Sequence, residues 1–206
     1  MSAAGALATA LAVAFVTGSS RRKAIEVAHL ADLYGGGGLG GVSAILGGGW
    51  ELRARPGIPP RGRIRHFPTH GTAFVIVAGA AMPSPALLRN PRFLGRVGRA
   101  SGVGLARLDR RPSLDRFLAE AERFTDALRL GPPAVLRTVH ALRTVDTRVA
   151  QAMFGRSLFA VPRTPRARAV LVDRLTRRGL RAAEVPIAAR GAQTLPGPPQ
   201  RLVSLG

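Results

Sequence analysis

The chain of 206 residues contains no cysteine. This absence excludes disulfide frameworks, thiolate zinc fingers, iron–sulfur clusters and thiol catalysis. Aromatic residues are scarce, at 5% of the chain, but 46% of the residues are hydrophobic, so the composition is not that of a disordered protein. The length accommodates one large domain or two small ones, with a core that needs no disulfide.

Acidic residues and lysine are scarce as well. The chain has 31 Lys and Arg against 11 Asp and Glu, a net charge of +20, and Lys23 is the only lysine. The arginines are scattered in runs no longer than two, whereas nucleic-acid binders gather basic residues on one face or arm, often beside stacking aromatics. This pattern argues against nucleic acid as the partner, and a basic nucleic-acid-binding protein is kept as the alternative of a different class.

Residues 3–16 form a nearly uninterrupted apolar run that resembles a targeting signal. A secretory signal carries its positive charge before the apolar run, but here Arg21, Arg22 and Lys23 come after it. The run is also shorter than the roughly 20 apolar residues that a bilayer span needs. We therefore predict a buried helix of small residues in a soluble, cytoplasmic protein with no membrane partner.

Periodicity and turn residues predict an α+β fold in two parts that join near residue 70. Ser20 and Ser113 are expected to cap helices, and the four glycines of residues 91–108 argue against a continuous helix there. The predicted helices cover residues 2–16, 20–34, 39–46, 85–88, 91–108, 114–130, 134–150 and 165–178. The predicted strands cover residues 50–55, 61–67, 72–78, 157–161 and 180–187, the first two forming a hairpin, and the tail is expected to be loose.

Two segments combine small residues with a helix start, which suits phosphate binding. Met1-Ser-Ala-Ala-Gly-Ala6 begins the first helix, where free N–H groups and the positive end of the dipole attract anions. Gly35 to Gly41 is a glycine-rich loop that opens another helix, although such a loop alone is weak evidence of a phosphate site. A third segment, Gln151-Ala-Met-Phe-Gly155, is interpreted as a helix-to-strand turn before a buried strand.

In this order and at these spacings, the motifs resemble the archaeal pantoate kinases of the GHMP kinase superfamily. The small-residue helix start is Ser2-Ala-Ala-Gly-Ala-Leu7, and the Ala-His-x-Ala-acid segment is Ala28-His-Leu-Ala-Asp32. The family's glycine loop is matched by Gly36-Gly-Gly-Leu-Gly-Gly-Val42, and its C-terminal motif by residues 151–155. The resemblance covers about residues 1–195.

The resemblance implies an α+β, GHMP kinase-like two-part fold whose N-terminal part is incomplete. Residues 1–70 would be the remainder of the N-terminal domain, with the ATP and substrate loops, and residues 71–206 the C-terminal domain. The implied reaction is ATP-dependent phosphorylation of pantoate to 4-phosphopantoate in coenzyme A biosynthesis, with ATP and Mg²⁺ as cofactors and a homodimer as an option.

The resemblance also assigns site residues, each with a structural alternative. Ser2, Ala3, Ala4 and Gly5 would bind the nucleotide, with an N-cap as the alternative for Ser2. Asp32 would be the catalytic carboxylate and, with Ser2, a Mg²⁺ ligand; a solvated helix carboxylate is its alternative. The expected substrate or phosphate-loop residues are His29, Gly38, Gly40, Gln151 and Gly155. His29 is equally well interpreted as a structural histidine, as are His66, His70 and His140, which have no metal-ligand spacing.

Two departures from the family pattern leave a catalytically impaired relative as a further alternative. The glycines that precede the motif serine in these kinases are missing, so the start at Met1 is expected to be internal. Gly41 stands where the family has an aspartate, the candidate base for the substrate hydroxyl, and glycine cannot accept a proton. We therefore expect Gly41→Asp to raise the rate, unless Asp32 has taken over that role.

Overall fold

A computed structural model describes residues 2–38, 40–79, 89–152 and 155–193 of the chain. The helices in these ranges are α1 (Ala3–Thr17), α2 (Arg21–Tyr34), α3 (Gly41–Gly47), α4 (Pro91–Arg110), α5 (Leu114–Leu128), α6 (Pro133–Leu142) and α7 (Pro165–Arg177). The strands are β1 (Trp50–Arg55), β2 (Arg63–Phe67), β3 (Thr72–Val77), β4 (Thr147–Gln151), β5 (Ser157–Pro162) and β6 (Arg181–Pro186).

Some sequence expectations lie outside the described residues. They concern Met1 of the first motif, Leu39 of the glycine loop, the short helix over residues 85–88, the Met153-Phe154 pair of the C-terminal motif and the tail from residue 194.

The chain divides into two compact units, Met1–Pro68 with Arg190–Gly206, and Thr69–Ala189. The last described residues belong to the first unit, because the Ala192 N–H donates to the Ile45 carbonyl at 2.8 Å. Arg21 Nη2 in turn donates to the Ala192 carbonyl at 2.7 Å. The proposed boundary at residue 70 stays a prediction.

In the first unit, α1 and α2 pack together around a small core of Ala6, Leu7, Ala28 and Val42. The predicted hairpin is confirmed: β1 pairs antiparallel with β2, and the Trp50 and Phe67 rings stack with centroids 4.2 Å apart.

The prediction that the first helix is buried is wrong. Only Ala6, Leu7 and Ala14 of α1 are buried, whereas Phe15 and Val16 are 78% and 83% exposed. Within the described part of its unit, α1 buries one side against α2 and α3, so its other apolar positions face outward. No helix in the described ranges is long and apolar enough to cross a membrane.

The second unit is built on a four-stranded antiparallel sheet of order β4-β5-β3-β6. Its core lies between the sheet and helices α6 and α7 and includes Phe74, Ile76, Val139, Leu158 and Leu171. The buried-strand prediction for residues 72–78 is confirmed for its inward-facing positions, because Phe74 and Ile76 are buried and Val75 and Val77 are exposed.

One helix prediction in this unit is wrong. The helix predicted over residues 134–150 ends at Leu142, and strand β4 begins at Thr147. Arg143 has extended backbone angles, and the Thr144 N–H donates to the Thr147 carbonyl at 3.1 Å, so the chain reverses there into a strand. Conversely, α4 is continuous through its glycines, because its strongly amphipathic pattern packs along α5, with Gly104 close to Glu120. The Ser20 and Ser113 caps are confirmed.

Candidate active site

The start of α1 consists of small residues that follow a serine cap. Ser2 is the N-cap, and its Oγ accepts a hydrogen bond from the Gly5 N–H at 3.2 Å. Ala4 and Gly5 are exposed, and the first turn holds no acidic side chain that would offset the positive end of the helix dipole. Ser2 is thus an N-cap, and its part in nucleotide binding stays a prediction.

Asp32 lies at the C-terminal end of α2, directly before the glycine loop. It is only 4% exposed, so the alternative of a solvated helix carboxylate is wrong. Its Oδ2 is buried and has no hydrogen-bond partner among the described residues. Since an unpaired buried carboxylate oxygen is costly, this oxygen marks a position where a hydroxyl or a cation would be stabilised.

Gly41 lies between Asp32 and the start of α1. A Cβ at position 41 would lie 2.6 Å from the Ala3 Cβ and 2.9 Å from Asp32 Oδ2, both closer than real Cβ contacts. The absent side chain thus lets the two groups approach each other. Three segments that the sequence singled out separately, the α1 start, Asp32 and the glycine loop, meet at this point.

His29 precedes Asp32 by three positions on α2, so the two side chains share a face of the helix. It is 8% exposed, and its Nδ1 is buried without a hydrogen-bond partner in the described ranges. A histidine kept only for structure would be expected to satisfy this nitrogen. Its role in substrate binding stays a prediction.

Arg53 is a candidate that sequence reasoning missed. Its guanidinium lies against Gly40, in space that a side chain at position 40 would occupy. Nη1 donates to the Ser43 Oγ at 3.3 Å and lies 4.0 Å from Glu51 Oε1. The Arg53 side chain is 31% exposed, so a positive group stands partly open to solvent at the loop. No local signal marked it, because α3 separates β1 from the glycine loop and Arg53 is one of 30 arginines.

The two C-terminal candidates belong to the other unit. Gln151 is buried at the end of β4, and its Nε2 donates to the Gly155 carbonyl. The interpretation of this motif as a helix-to-strand turn is wrong, because it connects strand β4 to strand β5. Both residues stabilise that connection, and their part in a phosphate or substrate loop stays a prediction.

The remaining histidines have different surroundings, and His66, like His29, has a buried Nδ1 without a hydrogen-bond partner among the described residues. The His66 ring packs on Gly47, and His140 Nε2 lies 3.0 Å from Asp126 Oδ1. His70 is exposed. In the described part of the chain, no group of three or more His, Asp or Glu side chains could hold a metal ion.

Comparison with known proteins identifies relatives of this chain. The chain is 30% identical over 171 residues to the pantoate kinase of Thermococcus kodakarensis, covering 81% of this chain and 55% of the relative. It thus spans about half the length of that curated relative. No family model matches the chain.

Solved structures agree with that similarity. A phosphotransferase related to the coenzyme A biosynthesis pathway superposes with a TM-score of 0.73 at 25% identity, covering 92% of this chain and 62% of that one. The Lin0012 protein of Listeria innocua has a TM-score of 0.56 at 14% identity, over 89% of this chain and 66% of its own, and so supports the fold alone. The expected α+β fold is confirmed, and in sequence and fold the chain is similar to a pantoate kinase and to a phosphotransferase related to coenzyme A biosynthesis.

Proposed function

We propose that this chain carries the phosphoryl-transfer site of an ATP-dependent kinase that converts pantoate to 4-phosphopantoate on the way to coenzyme A. The observation that carries the proposal is the buried, unpartnered Asp32 Oδ2 beside the start of α1. A helix N-terminus attracts phosphate, and a buried carboxylate oxygen accepts a hydroxyl proton or ligates a cation. Both features are needed to bring a phosphoryl donor and an alcohol together.

The nucleotide end of the site is assigned to Ser2, Ala3, Ala4 and Gly5. The first-turn N–H groups of α1 would donate to phosphate oxygens, and the helix dipole favours their negative charge. Small side chains allow a phosphate to approach the backbone closely. The Ser2 hydroxyl, which already accepts from the Gly5 N–H, retains its own proton and a second lone pair for the ligand.

Asp32 would orient the attacking hydroxyl. Phosphoryl transfer proceeds through a loose transition state, so positioning and charge stabilisation contribute more than early deprotonation. The buried Oδ2 would accept the hydrogen bond of the pantoate hydroxyl and hold its oxygen toward the phosphoryl group. The carboxylate would receive the proton as the new O–P bond forms and the bond from the γ-phosphorus to the ADP oxygen breaks, in the manner of a general base.

The residues also suit a Mg²⁺ ion. This ion prefers oxygen ligands and is commonly held by one or two carboxylates together with substrate phosphates. Asp32 and the Ser2 hydroxyl would supply the protein ligands, and the unpartnered Asp32 oxygen is consistent with such a role. When bound, the ion would neutralise the charge of the ATP phosphates.

The Arg53 guanidinium would bind the pantoate carboxylate. Guanidinium and carboxylate form two parallel charge-assisted hydrogen bonds, which fix orientation as well as position. Arg53 is partly exposed at Gly40 of the same glycine loop that ends beside Asp32. With His29 and Gly38 it would form the substrate side of the site, opposite the nucleotide side.

Neither alternative is favoured by a specific observation. An impaired relative was suggested by Gly41 and by the missing segment before Ser2; against the first ground, Asp32 has a buried carboxylate beside position 41. Nucleic acid binding rests on charge alone, and several arginines instead bond to carbonyls within the fold, among them Arg96, Arg143 and Arg174. The cytoplasmic location and the homodimer stay predictions.

The test is transfer of the γ-phosphate of ATP to pantoate by the chain, with phosphopantoate detected by mass spectrometry. Arg53→Ala should raise KM for pantoate at least tenfold, about 1.4 kcal/mol, and leave KM for ATP unchanged. Arg22→Ala is the matched control, because Arg22 is an exposed arginine of the same unit that pairs only with Glu26 on its own helix. Absence of phosphopantoate with the folded chain would contradict the proposal.

A further inference from the structure

Ser43 connects Arg53 to the glycine loop. It is fully buried in α3, and its Oγ donates to the Gly40 carbonyl at 3.0 Å while accepting from Arg53 Nη1 at 3.3 Å. One hydroxyl thus binds the backbone of the loop and the side chain of β1 at the same time. No sequence motif marked this serine.

Glu51 approaches the same pair from β1. Residues 51 and 53 project from the same face of the strand because side chains alternate along it. Glu51 Oε1 lies 3.4 Å from the Ser43 Oγ and 4.0 Å from Arg53 Nη1, and the Glu51 side chain is only 14% exposed. Its Oε2 is buried with no hydrogen-bond partner among the described residues. The Glu51 carboxylate is partly desolvated and attracts the Arg53 guanidinium at this distance. It still leaves the guanidinium accessible to a ligand.

Gly40 completes the arrangement. A side chain at position 40 would overlap the Arg53 guanidinium, so the absence of one lets this group lie against the loop backbone. Arg53 is therefore confined by the loop, by Ser43 on α3 and by Glu51 on its own strand. A long side chain with several rotatable bonds loses much of its freedom before any ligand arrives.

We propose that Ser43 and Glu51 are positioning residues that hold the Arg53 guanidinium ready for the substrate carboxylate. This inference rests on the proposed function, since it assigns a role to residues that touch Arg53 and not the substrate. A guanidinium fixed in advance pays less conformational entropy on binding, which strengthens the complex without any new contact. Ser43 and Glu51 thus affect the affinity for the anionic substrate and not the rate of phosphoryl transfer.

The experiment measures pantoate binding by titration calorimetry and steady-state kinetics on the full chain. We expect Ser43→Ala and Glu51→Gln each to weaken pantoate binding and raise its KM about tenfold, with kcat and KM for ATP retained. In the Arg53→Ala background, Glu51→Gln should have no further effect, because non-additivity is the signature of residues that act as one unit. A purely structural role would instead give additive losses and affect both substrates.

Glu26→Gln is the control, because Glu26 is an exposed carboxylate of the same unit that pairs with Arg22. Circular dichroism checks that each variant is folded, and the near-isosteric Glu51→Gln carries the test if Ser43→Ala does not fold. If Arg53→Ala loses pantoate but both partner variants bind like the wild type, the inference is overturned and the proposed function stands. If the wild type neither binds nor phosphorylates pantoate, the proposed function fails and the inference fails with it.

Discussion

The Asp32 carboxylate lies beside Gly41, in space that any side chain at position 41 would need. A Cβ there would be 2.9 Å from Asp32 Oδ2. The two positions are therefore coupled in this structure, since a side chain at 41 would require Ala3 and the Asp32 carboxylate to shift. In the proposed site, Asp32 of α2 would take the role of the carboxylate that the family pattern leads one to expect at position 41.

This relationship reverses the expectation that Gly41→Asp raises the rate. The new Cβ would collide with Ala3 and would bring a second carboxylate against Asp32, where like charges repel. We expect turnover of pantoate to fall by about tenfold or more, as about 1.4 kcal/mol of lost transition-state stabilisation would produce. The measurement is kcat/KM for pantoate.

The matched control is Gly98→Asp in α4, where a Cβ meets nothing within 4 Å. That variant should retain wild-type kinetics. A rate increase in Gly41→Asp would contradict the assignment of the catalytic carboxylate to Asp32. It would indicate that position 41 has that role.

Ser2→Ala should weaken catalysis by about tenfold, roughly 1.4 kcal/mol, because it removes a hydroxyl at the phosphate-binding helix start. The same change removes an N-cap, worth about 1 kcal/mol of stability. Ser20→Ala separates the two effects, since the Ser20 Oγ accepts from the Lys23 N–H at the same 3.2 Å. Both variants should lose similar thermal stability, and only Ser2→Ala should lose activity. Equal kinetics in the two variants would show that Ser2 is a cap alone.

The elements of the site were predictable from sequence only where small residues or acids stood in a recognisable order. The Ser2 and Asp32 segments and the glycine loop carry such an order. Arg53 does not, because it is one of 30 arginines and its role arises from the register that places β1 beside Gly40. The role proposed for Ser43 depends on its full burial between the glycine loop and β1. No local sequence pattern predicts that burial.

Glu122 of α5 should be important for the stability of the second unit. Its Oε1 accepts from the Val149 N–H and its Oε2 from Arg148 Nη1, each at 2.9 Å, so it protects the edge strand β4. We expect Glu122→Gln to lower the free energy of unfolding by about 1–3 kcal/mol, since it leaves the partly buried Arg148 without its acceptor.

Urea unfolding measures this loss. Asp173→Asn, at an exposed ion pair with Arg177 in α7, should change stability by less than about 0.5 kcal/mol. A Glu122→Gln variant as stable as the wild type would show that the edge of β4 needs no such protection.

The same contacts explain why the helix predicted over residues 134–150 was wrong. Val149 and its neighbours have an apolar spacing that fits a helix as well as a strand. The strand is selected by tertiary contacts, because α5 supplies Glu122 and Thr125 to the N–H groups of Val149 and Gln151. These partners are more than 20 positions away in the sequence, so no local window contains them.

Asp126 should contribute stability at neutral pH that is lost in acid. Partial burial alone would raise its pKa, but hydrogen bonds from Arg143 and His140 hold the pKa below its ordinary value. The carboxylate therefore adds stability that is fully present above about pH 4, the unfolded pKa, and is lost as pH falls through the lower folded pKa. The difference in unfolding free energy between wild type and Asp126→Asn should shrink below about pH 4. A difference that stays constant down to pH 2 would contradict this linkage.

The central claim is that Asp32 is the carboxylate of a phosphoryl-transfer site, and Asp32→Asn tests it most directly. The amide keeps the size of the side chain but can neither accept the hydroxyl proton nor ligate Mg²⁺ as an anion. Single-turnover transfer of phosphate from ATP to pantoate should slow by about 10²–10⁴-fold, while Glu26→Gln transfers at the wild-type rate and both variants keep the wild-type circular dichroism spectrum. Wild-type transfer by folded Asp32→Asn would contradict the account.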